Sequence, residues 1–184
     1  MKYLFAKSCK SLQLLILLSL LDFHSLIAQN NRIDSLMLKV KGTVDKANKF
    51  ELLNTVFADL KSSDPSRAVW IGKQQLALAL ELKKNKEIAL AFSNIGSASY
   101  SLGNYNDALT FGFRALRLRE ELGNKEDIAT SLSNLGLVYY KQNLLALAIS
   151  NHRKALKLRI ESNDSAGMAT SYNSLGLAFS DLSN

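Results

Sequence analysis

Ser93-Asn94 and Ser133-Asn134 stand forty residues apart, and each pair is followed by an apolar residue and a glycine. A carboxamide donates and accepts hydrogen bonds at once. Repeated at a fixed interval, Asn94 and Asn134 suit one of two tasks. They could clamp a peptide backbone whatever its side chains, or they could tie neighbouring segments of this chain together. Covalent chemistry has far less to work with. The sequence contains no phosphate-binding GxxxxGK[ST], no HExxH and no GxSxG. His152 is the only histidine beyond residue 28, with no second histidine, cysteine or suitably spaced carboxylate pair to complete a metal site. The expectation is a non-catalytic protein with no cofactor and no metal.

Length and composition set the frame for these residues. The 184 residues are 47% hydrophobic and 21% charged, which fits a folded chain with a sizeable core. With one proline, nine glycines and few β-branched residues beside Leu and Ala, helices are favoured over strands. The net charge of +7 is modest, and without residues 1–28, which carry Lys2, Lys7, Lys10 and Asp22, it falls to +5. Its densest stretches, RALRLRE and HRKALKLR, lie on expected helices and read as solvated faces. They do not form the continuous basic stripe with stacking aromatics that nucleic acid requires.

The first 28 residues read as a signal peptide. Lys2, Lys7 and Lys10 precede the apolar run LQLLILLSLL, and Ala28 supplies a small residue before the mature sequence. That run is too short to cross a bilayer, which takes about 20 residues. Cys9 is the only cysteine and lies ahead of the run, so a cleaved chain has no thiol and no disulfide. A periplasmic or secreted location is expected, of bacterial type.

The positions that matter recur at a period of forty. Between 89–128 and 129–168 eleven of forty positions are identical, against about two or three by chance. They include Ser93/Ser133, Asn94/Asn134, Gly96/Gly136, Tyr100/Tyr140, Ala108/Ala148 and Ala115/Ala155. A further copy opens at Ala169, and a degenerate one precedes them. Such a period signals stacked repeats. Each copy carries two amphipathic stretches at helical spacing, separated by turn signals such as Gly103 and the Asn/Asp-rich start that follows. Asp64-Pro65 reads as a helix cap followed by a first-turn proline. Small residues at Gly96, Gly136, Gly176, Ala108, Ala115, Ala148 and Ala155 are expected where helices approach closely. His152 falls at the packing position of Gly72 and Gly112, and Trp70 is expected as core or inter-repeat filler.

Leu132, Leu135-Gly136, Tyr139, Ala148 and Ala155, with Phe92, Ile95-Gly96, Ala108 and Ala115 one period earlier, resemble the tetratricopeptide repeat pattern. The likeness covers roughly 49–184. The forty-residue period is similar to that of kinesin light chains and bacterial peptide-sensing regulators. Three features depart from the pattern. The terminal proline is missing, Ser99 replaces an aromatic, and Gly72, Gly112 and His152 stand at the second-helix aromatic position. The resemblance implies an all-α fold, a right-handed α-solenoid of stacked antiparallel helix pairs. It divides the chain into a signal peptide (1–28), a helical lead-in (29–48), a degenerate repeat (49–88), two full repeats (89–128 and 129–168) and the first helix of another (169–184).

The resemblance further implies a concave groove lined by first helices, where a protein or peptide partner lies. Carried over by position, the groove residues are Ser93, Asn94, Ser97, Tyr100, Ser133, Asn134, Leu137, Tyr140, Lys141 and Asn173. The function implied is an exported binding scaffold. The alternative is the sensor part of a larger membrane signalling protein, with a kinase, cyclase or transcriptional output. Asn184 falls at the turn after a first helix, so the array is expected to continue, and any membrane attachment would lie downstream.

Overall fold

The computed structural model describes residues 31–183, and the expected signal peptide lies outside them. The chain divides into two units at Thr43. In the first, the described residues form helix α1 over 31–42. The second unit is a run of helices: α2 (Lys46–Leu60), α3 (Pro65–Leu82), α4 (Asn85–Ser101), α5 (Tyr105–Leu122), α6 (Lys125–Lys141), α7 (Leu145–Glu161) and α8 (Ser165–Leu182). Among the described residues there is no strand. None of the helices is long and apolar enough to cross a membrane.

Local sequence starts and stops these helices. The side chains of Asp45, Asp64, Asn124 and Asp164 each accept a bond from the backbone N–H three residues on, at 2.8, 3.0, 2.9 and 2.8 Å. Those bonds satisfy donors that the first helical turn leaves orphaned. Pro65 stands at the start of α3, as expected after Asp64. The second helices end in a left-handed residue, Lys83 at φ 54° after α3 and Gly123 at φ 74° after α5, and Asn163 follows α7 at φ 57°. Only the glycine adopts that geometry without a Cβ penalty.

From α2 onward each helix packs on the next, and first helices also touch across the repeats, α4 with α6 and α6 with α8. This is an α-solenoid. Its core is quasi-one-dimensional, since each pair needs a neighbour to cover its apolar face. Leu135 on α6 is 1% exposed and joins Leu116, Ala129, Leu132 and Ala155 in one cluster. Burying such a leucine contributes about 1.5–3 kcal/mol.

The small residues act as spacers at most of the expected places. A methyl group on Gly96 would lie 3.3 Å from the Ala108 carbonyl oxygen, and one on Gly136 would lie 2.7 Å from the His152 ring. His152, 1% exposed, therefore fills the packing position at which α3 and α5 carry Gly72 and Gly112. Gly176 on α8 meets nothing within 4 Å.

Two sequence expectations are corrected. Trp70 is 51% exposed and fills no core. It shares its register with Thr110 and Ser150, both on the outward side of second helices. The basic runs of α5 and α7 are not wholly solvated either, because Arg119 and Arg159 are buried. Each guanidinium reaches forward to the next first helix. Arg119 Nη1 donates to Ser131 Oγ at 2.8 Å and to the Asp127 carbonyl at 3.3 Å. Arg159 Nη1 donates to Ser171 Oγ at 2.6 Å and to the Gly167 carbonyl at 2.9 Å. Hydrogen bonding is what makes burying such a charge tolerable.

Candidate functional site

The first helices α4 and α6, with the end of α2 and the inner side of α5, enclose a cavity of 220 Å³. Its floor is apolar and small: Gly96, Ala108, Gly112, Ala115, Leu135 and Val138. Ser93, Ser97, Tyr100, Ser101 and Asn134 supply neutral polar groups, and Lys61 is the only charged residue in the lining. Burial pushes the Tyr100 phenol upward, with the Tyr105 hydroxyl adding to the effect, so it stays a neutral donor and acceptor.

Five of the ten groove candidates line this cavity: Ser93, Ser97, Tyr100, Asn134 and Leu137. The other five do not. Asn94 is 9% exposed and belongs to a side-chain network. Its Nδ2 donates to Gln75 Oε1 at 2.8 Å and to Asn54 Oδ1 at 3.4 Å, while Gln75 Nε2 donates to the same Asn54 oxygen at 3.4 Å. Ser133 is buried, its hydroxyl without a hydrogen-bond partner. Tyr140 donates to Asp181 Oδ2 at 2.5 Å, binding α6 to α8, and that bond is the main cause of its raised pKa. Lys141 and Asn173 are exposed, apart from the cavity.

The two readings of the asparagine pair are thus divided between its members. Asn94 ties helices together, and Asn134 keeps its carboxamide for the cavity. The difference was written in the sequence at position 75. Gln75 occupies the register of Ala115 and Ala155, so the partner that engages Asn94 has no counterpart for Asn134.

His152 holds no metal set. Among the described residues no group of three His, Cys, Asp or Glu side chains converges. Burial, together with the nearby Arg159 charge, lowers the His152 pKa and keeps the ring neutral. Its role in the described structure is packing against Gly136.

Stacked antiparallel helix pairs with a cavity among first helices define a repeat scaffold of the solenoid class. Residues 87–161 and 127–184 match the tetratricopeptide repeat family model, together more than half of the sequence, and the chain belongs to that family. No curated protein sequence matches it. Among solved structures it is similar to BtubC (BKLC) from P. vanneervenii, at 20% identity and a TM-score of 0.67, over 84% of this chain and 64% of that one. It is also similar to a Rap protein complexed with Competence and Sporulation Factor, at 20% identity and a TM-score of 0.63, over 73% of this chain. The chain spans 64% and 41% of the lengths of those two proteins. At these identities the likeness concerns the fold.

Proposed function

We propose that this protein is an exported, non-catalytic scaffold that captures a peptide or an extended protein segment among its first helices. The observation that carries this reading is the convergence of Ser97, Tyr100, Asn134 and Leu137 on one apolar-floored cavity. A few placed polar groups over an apolar floor are what orient a bound segment. The Asn134 carboxamide can pair with a peptide N–H and C=O together. Support comes from the family, whose members commonly serve protein interaction, and from the Rap neighbour, which was crystallised with a bound factor.

Selection of a short-peptide phage library on the immobilised chain tests the proposal. Asn134→Ala should weaken the selected peptides while the helical circular dichroism stays unchanged. Failure of the chain to select any peptide would refute it. The basic and apolar start of the sequence supports export. It also favours a second reading, in which the repeats are the sensory part of a membrane signalling protein. Residues 1–28 fused to alkaline phosphatase should give active enzyme outside the cytoplasm, and an inactive fusion would remove export from the proposal.

A further inference from the structure

The three seams between successive repeats differ at two positions that face the same space. At the first of them, α3, α5 and α7 carry Gly72, Gly112 and His152; at the second they carry Gln75, Ala115 and Ala155. In the first seam Gln75, 0% exposed, fills the interior and bonds to Asn54 and Asn94. In the last full repeat the buried His152 ring lies against Gly136, which is in the register of the cavity residue Gly96. Only the middle seam has a small residue at both positions, and there the 220 Å³ cavity lies, with Gly112 and Ala115 in its wall. The opening is therefore a local product of two substitutions and not a general property of the repeat.

Resting on the peptide-binding reading above, we infer that the middle seam is a specificity pocket gated by Ala115. Its occupant is an uncharged aliphatic side chain of a peptide segment, flanked by an acidic residue. Gly96, Ala108, Gly112, Leu135 and Val138 offer an aliphatic group apolar surface, and the hydroxyl of Ser131, the buried serine among them, is already engaged by Arg119. A charged anchor entering it would lose its hydration without gaining a counter-ion. The volume has room for a leucine- or methionine-sized group, with Ser97, Ser101 and Asn134 in the same lining to meet the peptide backbone. Lys61 supplies the lone charge of the lining, so a carboxylate beside the anchor is complemented and an ammonium is repelled. The outer seams offer no equivalent, since Gln75 and His152 already occupy them.

The closing experiment uses the full chain and peptides selected on it from a short-peptide phage library. The selected sequences should share an aliphatic anchor next to Asp or Glu. Ala115→Gln places in the middle seam the side chain that closes the first one, where the new amide would stand between Asn94 and Asn134. It should weaken the selected peptides by at least about tenfold, with the thermal transition retained. Lys61→Glu, an exposed change that leaves the packing alone, should weaken acidic-flanked peptides and spare variants in which the acid is replaced by Lys. Peptides that bind the Ala115→Gln chain as tightly as the parent would overturn the pocket while leaving groove binding intact. Selected peptides with no aliphatic anchor, or indifferent to Lys61→Glu, would likewise overturn it. If the parent chain selects nothing, the pocket and the groove reading fall together. Should Ala115→Gln unfold, Ala115→Met fills the same space without a polar group, and the same loss is required of it.

Discussion

The first and the later seams of this solenoid are held by different buried polar ties. Between the first two repeats the tie is Asn54–Gln75–Asn94, and Ala79 and Ala91 on the same two helices, α3 and α4, are fully buried. One period on, those two alanines become Arg119 and Ser131, and another period on, Arg159 and Ser171, while Gln75 becomes Ala115 and then Ala155. Each seam keeps one buried polar link, but the link has moved to the next inward position along the second helix. The change teaches where room for a ligand comes from. Moving the tie from position 75 to 119 empties the layer nearest the first helices, and the cavity occupies the emptied layer in the one seam where no histidine refills it.

The later tie is the more exacting, because its donor is a charge. Burial lowers the Arg119 pKa, with Asp127 opposing the effect. Ser131→Ala should therefore cost the largest amount of these changes, about 1.5–3 kcal/mol, as a hydrogen bond to a charged group is lost. Joint replacement by Arg119→Met and Ser131→Ala should cost less than the serine change alone, since an apolar pair leaves no buried charge unpaired. Urea denaturation of the three variants checks both statements. A double variant less stable than Ser131→Ala would mean that the guanidinium contributes net stability.

Spacer glycines separate the interior helix pairs from the last helix. Gly136→Ala would press on the buried His152 ring and should cost about 1–3 kcal/mol. Gly176→Ala meets open space and should stabilise by up to about 1 kcal/mol through helix propensity alone. Equal melting temperatures for the two variants would show that the α6–α7 spacing is softer than its geometry.

For the first seam, Gln75→Ala should cost about 1–3 kcal/mol, because Asn94 keeps only its long bond to Asn54. The same variant should open a second cavity, and a crystal structure or increased binding of small apolar probes would reveal it.

His152 gives the smaller, pH-dependent effect. Its folded pKa is depressed, so above the unfolded value of about 6.5 the ring is neutral in both states and stability is at its full level. As pH falls through that value toward the folded pKa, the unfolded chain binds the proton first and stability declines. His152→Gln should flatten this slope between neutral and mildly acidic pH. A slope that survives the substitution would place its origin in the carboxylates. Lys83→Gly should raise the melting temperature through a gain of about 1 kcal/mol, bringing the α3 terminus to the geometry that Gly123 gives α5.

Much of the fold was legible in residues three to forty positions apart. Asp64-Pro65 marked the start of α3, Gly103 the turn before α5, and the recurrence of Gly96 and Ala108 at forty-residue intervals marked close helix approach. Five of the ten groove candidates, Ser93, Ser97, Tyr100, Asn134 and Leu137, are brought together at the cavity as well. The identity of Asn94 with Asn134 misled, since what separates them lies elsewhere, at Gln75, whose partners stand 21 and 19 residues away. Trp70 misled because hydrophobicity alone does not report which side of a helix is covered.

Sequence alone determined that this chain forms stacked helix pairs, because caps, turn residues and a 3.6-residue apolar rhythm are properties of short segments. Which polar groups are consumed inside and which remain for a ligand was decided only when the helices packed. Burial and hydrogen bonding depend on the neighbour that a helix receives, and for Asn94 that neighbour is Gln75, while for Asn134 it is the space left by Ala115.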